Sequence, residues 1–257
     1  MQGIEHNNTG LAPHPVLDRY YTEPGQRQDV VNRLFDDTAR HYDRITALMS
    51  GGTGAKYRRD VLRRVGVGPG SRVLDIACGT GQVSAAAAEL VGPQGVVVGV
   101  DPSEGMRRVA ESRRGIRTRA GTAERLPVED RSFDVVVMGY ALRHASDLIA
   151  AFREMRRALR PGGTVVILEI TPPEGALARA ALKLYLKRIV PPASLLATGS
   201  RRAMELMSYY WDSIEQCVSP AAILDAMAHA GLQNPTRHRT LGIFNEYVAT
   251  APGAPPA

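Results

Sequence analysis

The residues of this 257-residue chain best suited to chemistry fall into three groups. The first is Asp75 with the turn Cys78-Gly79-Thr80-Gly81 that follows it. Glycines there let a ligand approach the backbone, and the free N–H groups that open the next helix point at it. The second is Asp101, twenty residues beyond Gly81, where a carboxylate can accept hydrogen bonds from two ribose hydroxyls. Because Pro102 follows it, Asp101 also suits a helix N-cap, and both roles can hold at once. The third is Tyr140, Arg143 and His144. With an ordinary pKa near ~6.5, a histidine here could act as a general base. Glu169 ends another apolar run, where a buried charge needs a partner.

The elements that must position these groups alternate. Val73, Leu74 and Ile76 form a short aliphatic run, as expected of a strand buried on both faces of a parallel sheet, and an Ala-rich helix starts at Gln82. Further strands are expected at 96–101, 116–121, 133–140 and 164–170, with helices opening at Ser103 and at Ser146. Pro161-Gly162-Gly163 reads as the turn into the fifth strand. This order predicts an α/β fold with a doubly wound, mostly parallel sheet of seven strands, the last two being a closing pair with a turn at Gly242. Two amphipathic helices precede the first strand, from Asp29 to Leu48 and over 55–66.

Residues 171–218 interrupt the alternation as a helical cap, which Pro191-Pro192 should divide into pieces at 175–190 and 200–216. The domain reading is therefore a flexible or draped arm over residues 1–28 and one domain over 29–257.

Composition narrows the class of protein. Hydrophobic residues at 44% with 23% charged residues are ordinary for a soluble globular chain. The net charge of +6 is scattered in pairs such as Arg107-Arg108 and Arg156-Arg157, without interleaved aromatics, which argues against a nucleic-acid partner. Cys78 and Cys217 form neither a disulfide framework nor a metal site, so a reducing cytoplasm and no metal are expected. Neither a secretory signal nor an apolar run long enough for a transmembrane helix is present. The stretch 181–190 mixes apolar residues with Lys183, Lys187 and Arg188, which suits a cap helix and is also compatible with peripheral contact on an anionic membrane.

An NAD-binding domain would share the glycine turn and Asp101. The turn here is D-I-A-C-G-T-G, and its Asp75 suits a cofactor whose amino-acid end carries an amine. The ordered set D-I-A-C-G-T-G, V-V-V-G-V-D, T-A-E-R-L-P-V, F-D-V-V-V and A-L-R-P-G-G resembles the class I S-adenosylmethionine-dependent methyltransferases. F-D-D-T-A-R-H-Y-D-R-I-T-A-L-M-S at 35–50, G-Y-A-L-R-H at 139–144, L-E-I at 168–170 and Y-Y-W-D-S-I at 209–214 narrow it to the ubiquinone/menaquinone C-methyltransferase family.

The resemblance implies S-adenosyl-L-methionine as cofactor, with a Rossmann-like fold. It places Asp75, Ala77, Cys78, Gly79 and Gly81 at the methionine end and Asp101 with Pro102 at the ribose. Met106, Thr122 and Ala123 fall around adenine, and Glu124 and Tyr140 are also expected at the cofactor. Arg143 takes the family position thought to activate a phenol, Tyr42 the position over the active site, and His144 stands where the family has Asn. Tyr209, Tyr210 and Glu169 are expected on the substrate. One departure is that Gly54-Ala55 replaces a His-Arg pair of the family.

The expected activity is methyl transfer to carbon of a phenolic or enolic small molecule, in secondary metabolism. The alternatives are a demethylmenaquinone or polyprenyl benzoquinol C-methyltransferase and, in another class, a cofactor-retaining cyclase or ligand-binding protein. A homodimer is compatible with this reading.

Overall fold

The computed structural model describes residues 10–50 and 52–253. Among these, β1 (Arg72–Ile76), β2 (Val96–Val100), β3 (Arg117–Arg119), β4 (Phe133–Gly139), β5 (Leu159–Ile170), β6 (Gln233–Thr240) and β7 (Phe244–Thr250) form one sheet. Their order is β3-β2-β1-β4-β5-β7-β6, and β7 runs antiparallel to both neighbours. The chain leaves β1 to one side and later returns to its other side at β4, which opens a crevice at the carboxyl ends of these strands. Register levels those ends, since Ile76 pairs with Val100 and also with Met138. The residues just beyond them, Ala77, Asp101 and Gly139, therefore lie side by side at one edge.

Leu74 and Ile76 pack into the core on one sheet face, with Phe152 and Met155 of α5 (Leu148–Ala158). Val73 packs on the other face with α2 (Gly54–Arg64) and α3 (Gln82–Val91). Alternation along the strand turns Asp75 to the same side as Val73, where Ser84 of α3 donates to its Oδ2 at 2.5 Å. The remaining helix of this half is α4 (Glu104–Arg114), capped by Ser103, whose Oγ accepts the Met106 N–H at 3.1 Å.

The second half of the structure is a helical layer. In it α1 (Arg27–Ser50), α6 (Ala176–Leu184), α7 (Val190–Thr198) and α8 (Arg201–Glu215) enclose a separate core around Ile45, Leu206, Tyr209 and Trp211. The last helix, α9 (Pro220–His229), returns to the sheet. From Gly10 onward the arm is draped on the body, with Leu17 and Tyr21 buried and the Leu11 carbonyl accepting the Leu148 N–H at 2.8 Å. Residues 1–9 of the expected arm lie outside the described residues.

Two expectations need correction. Pro191-Pro192 does not divide the cap. The helical path continues from Ala176 to Thr198 through a π-turn at Tyr185–Ile189, because both prolines occupy the first turn of α7, where a missing N–H is least costly. Nor does Pro161-Gly162-Gly163 precede the fifth strand. The backbone there already pairs, Leu159 with Phe133, and the extra residues are absorbed as a register shift.

The basic stretch of the cap is turned partly inward, with Lys183 bonded to Glu215 and Lys187 to Asp212, both on α8. Leu177 and Leu184 on its other side are 86% and 58% exposed. No helix of the described residues is long and apolar enough to cross a membrane.

Candidate active site

At the levelled strand ends Asp101 works as a clamp. Its Oδ2 accepts the Gly79 N–H and its Oδ1 the Ser103 N–H, both at 2.8 Å, so the glycine turn and the start of α4 are held by one carboxylate. Ala77 and Tyr140 carry φ of +50° and +62°, conformations that a bulky tyrosine seldom adopts. Tyr140 is kept there by its N–H on the Leu168 carbonyl at 2.7 Å and by Arg143 Nη1 donating to its own carbonyl at 2.7 Å. Both backbones turn at the ends of β1 and β4, where the sheet stops and a ligand can lie.

Helix α1 lies over this edge and is pinned by two acids that sequence reading missed. Asp43 accepts from Thr80 at 2.6 Å, from Gln82 at 2.9 Å and from Arg114 at 2.9 Å. Asp36 accepts from Ser103 at 2.6 Å and from the Gly105 N–H at 2.8 Å. Their separation by seven residues, two helical turns, was the readable signal that one face of α1 carries both.

Two cavities meet under α1. The smaller is lined by Phe35, Asp101, Met106, Thr122, Ala123 and His144, among others. The larger, about 510 Å³, is lined by Tyr57, Arg58, Asp75, Leu182, Tyr210 and Phe244, among others, and reaches Tyr185 and Leu241. Tyr42, Ala77, Gly79, Gly139 and Tyr140 border both. These five residues form the lining that the two cavities share.

The expected cofactor residues are brought together with one exception. Ala77, Gly79, Asp101, Pro102, Met106, Thr122, Ala123, Glu124 and Tyr140 line the smaller cavity, and Asp75 and Cys78 the larger. Gly81 lines neither. A Cβ on it would lie 3.1 Å from the Ala110 Cβ, so its glycine serves the packing of α3 on α4 and a left-handed φ of +82°. At Gly79 a Cβ would meet nothing within 4 Å, which leaves open space beside the backbone.

The expected substrate and catalytic residues separate. Tyr42 and Tyr210 line the larger cavity. Arg143, Glu169 and Tyr209 line neither. Arg143 is fully buried, its Nη1 bonded to Glu169 Oε2 at 2.9 Å and its guanidinium 4.1 Å from the centre of the Tyr210 ring. Burial works against its charge, but the Glu169 carboxylate overrides it and raises the pKa above the ordinary arginine value. His144 faces the smaller cavity, with Nδ1 3.2 Å from the Tyr209 hydroxyl and its ring against Phe35. Burial, and then the nearby Arg143 charge, push its pKa well below the ordinary histidine range, which leaves a neutral and weakly basic imidazole.

Missed by sequence reading as well were Arg58, Tyr57 and Phe244, which reach the cavity from α2 and the start of β7.

These residues fit a nucleoside that carries an amino acid. Asp75 is buried, yet its Oδ1 has no partner, and burial raises its pKa to about 7. Burial likewise raises Asp101 to about 6. An unmatched carboxylate of this kind suits an ammonium group, and Asp101 retains lone pairs for ribose hydroxyls.

The strand order, the glycine turn and the acid at the end of β2 define a class I S-adenosylmethionine-dependent methyltransferase. A likeness to a solved S-adenosylmethionine-dependent methyltransferase of Thermotoga maritima, with a TM-score of 0.61 at 21% identity over 85% of this chain and 98% of that one, supports the fold. The chain belongs to the ubiE/COQ5 methyltransferase family, whose model matches residues 23–250. It is 38% identical over 171 residues to the demethylmenaquinone methyltransferase of Geobacillus stearothermophilus, covering 64% of this chain and 73% of that one. The corresponding enzyme of Staphylococcus aureus is 36% identical over 182 residues, or 69% of this chain and 76% of that one.

Proposed function

We propose that the chain methylates a ring carbon of a reduced demethylmenaquinone, a fused-ring quinol with an apolar tail. The observation that carries this reading is the larger cavity. It has room for a bicyclic ring, its wall includes Met49, Ile170, Leu182, Leu186, Ile243 and Phe244, and it leads from the shared tyrosines to the exposed Leu241, where a tail could run out. The names of the relatives from Geobacillus and Staphylococcus favour the same acceptor over the secondary metabolite expected at first.

Bound S-adenosylmethionine supplies a methyl group on a sulfonium that is already activated toward a nucleophile. The chain then has to hold, orient and shield. Asp101 would take the ribose hydroxyls and Asp75 Oδ1 the ammonium, while Met106 and Ala123 flank adenine. Tyr42 and Tyr140 at the junction would align the acceptor carbon and exclude water. Burial raises the pKa of both phenols above the ordinary tyrosine value, so they remain donors and can stabilise an ionised acceptor oxygen. Tyr210 would add a third donor, polarised by the Arg143 cation on its ring. Arg143 is then a positioning residue, and His144 orients Phe35 and Tyr209 rather than taking a proton.

Transfer of labelled methyl from S-adenosylmethionine to reduced demethylmenaquinone tests this, and the expected product is methylated on carbon. Gly54, where the family's His-Arg pair is replaced, lines the larger cavity, and this favours a second reading with a tailless phenolic acceptor. No transfer to the quinol, with transfer to a simple naphthol, would sink the first reading in favour of the second.

The raised acids also set a pH dependence. The cofactor's ammonium binds the ionised Asp75, so affinity should be highest above pH 7 and fall as the pH drops through the Asp75 value of about 7 and the Asp101 value of about 6. At pH 5.5 the Asp75 contribution alone corresponds to about thirtyfold weaker binding, from one tenfold step per pH unit below the pKa. Calorimetric titration at pH 8 and pH 5.5 checks this, and equal dissociation constants would remove Asp75 from the ammonium.

A further inference from the structure

Arg58 sits on α2 with a guanidinium that the protein leaves unmatched. Its Nε is buried without a partner, and its guanidinium carbon lies 5.8 Å from the centre of the Tyr140 ring. Its neighbours on the helix are otherwise engaged, Arg59 with Glu89 and Arg64 with Glu246. Across the same cavity wall Asp75 also has an unpartnered oxygen. Opposite charges that line one cavity would ordinarily pair, yet among the described residues these two form no salt bridge. A half-buried guanidinium with a shielded Nε and a fully buried carboxylate held apart are costly unless a ligand completes each of them.

An α-amino acid does this, because its ammonium and carboxylate leave the same carbon in different directions. Gly79, which borders both cavities with open space beside its backbone, lets such a group lie against the turn. The guanidinium lies over the Tyr140 ring, and its planar fork suits a two-pronged bond to a carboxylate better than a point charge would.

We propose that Arg58 binds the α-carboxylate of the methionine moiety of S-adenosylmethionine, opposite Asp75 at the ammonium. The same cation could instead receive an ionised oxygen of the acceptor, and two ligands separate these sources. S-adenosylmethionine and its decarboxylated analogue differ at that one group. Calorimetry on the wild type should show tighter binding of the complete cofactor. Arg58→Gln should weaken S-adenosylmethionine at least tenfold and leave the decarboxylated analogue within about twofold, so that the two ligands bind alike. Arg58→Lys, which keeps charge but loses the fork, should fall between.

Binding of the decarboxylated analogue also reports that the variant is folded. Equal loss for both ligands, or loss for neither, overturns the proposal. Unchanged cofactor binding with a raised acceptor KM would assign Arg58 to the acceptor and overturn it too. No acceptor is needed for the binding measurements, so they stand apart from the quinol assay.

Discussion

Asp101→Ala will raise the dissociation constant for S-adenosylmethionine at least tenfold. The substitution removes the proposed acceptor for the ribose hydroxyls. It also frees the Gly79 and Ser103 N–H groups that the carboxylate now holds at 2.8 Å, so the turn loses its preorganisation. Charge-assisted bonds of this kind contribute about 1.5–3 kcal/mol each, and tenfold in affinity corresponds to about 1.4 kcal/mol. Asp101→Asn should not restore binding. Both carboxylate oxygens already face backbone donors, and an amide would set its NH₂ against one of them. Calorimetry on both variants, with thermal unfolding as a control for the fold, decides the matter, and an unchanged dissociation constant in Asp101→Ala would take this residue out of the site.

Arg143→Ala will show its main effect on stability. The guanidinium is fully buried, paired with Glu169, bonded to the Tyr140 carbonyl and to Ser213 Oγ at 3.2 Å, and stacked on Tyr210. Removing one partner of a buried pair strands the other charge, at a cost of about 3–5 kcal/mol. That is a large part of the roughly 5–15 kcal/mol by which a domain is stable.

The double variant Arg143→Gln with Glu169→Gln, which buries no charge, should recover part of the loss in urea unfolding, because most of the penalty belongs to the stranded carboxylate. Wild-type unfolding midpoints in Arg143→Ala would contradict this account. A direct role in polarising the acceptor would instead appear as a fall in kcat in the double variant at temperatures where it is fully folded.

The meeting of the expected cofactor residues at one sheet edge was legible in the chain because its parts are local. Asp75, Gly79 and Asp101 follow or end consecutive parallel strands, and strand register brings such positions level without any long-range choice. Gly81 shows the limit of that reading. A glycine beside a ligand and a glycine under a helix look the same in a sequence, and only the 3.1 Å approach to Ala110 separates them. Pro191-Pro192 misled for a related reason, since two prolines read as a break until a preceding π-turn lets them open the next helix.

The sequence by itself determined the sheet, the methyl donor and the family, because strand periodicity, glycine turns and a carboxylate at a strand end act over short stretches of chain. Only the tertiary structure decided which residues line the larger cavity. Tyr42, Arg58, Tyr140, Tyr210 and Phe244 come from α1, α2, the end of β4, α8 and the start of β7, and their meeting depends on how those layers pack. The same packing turned Arg143 and Glu169 away from both cavities and into each other. A buried charge at a strand end can be satisfied by a ligand or by another side chain, and nothing in its neighbours along the chain distinguishes the two.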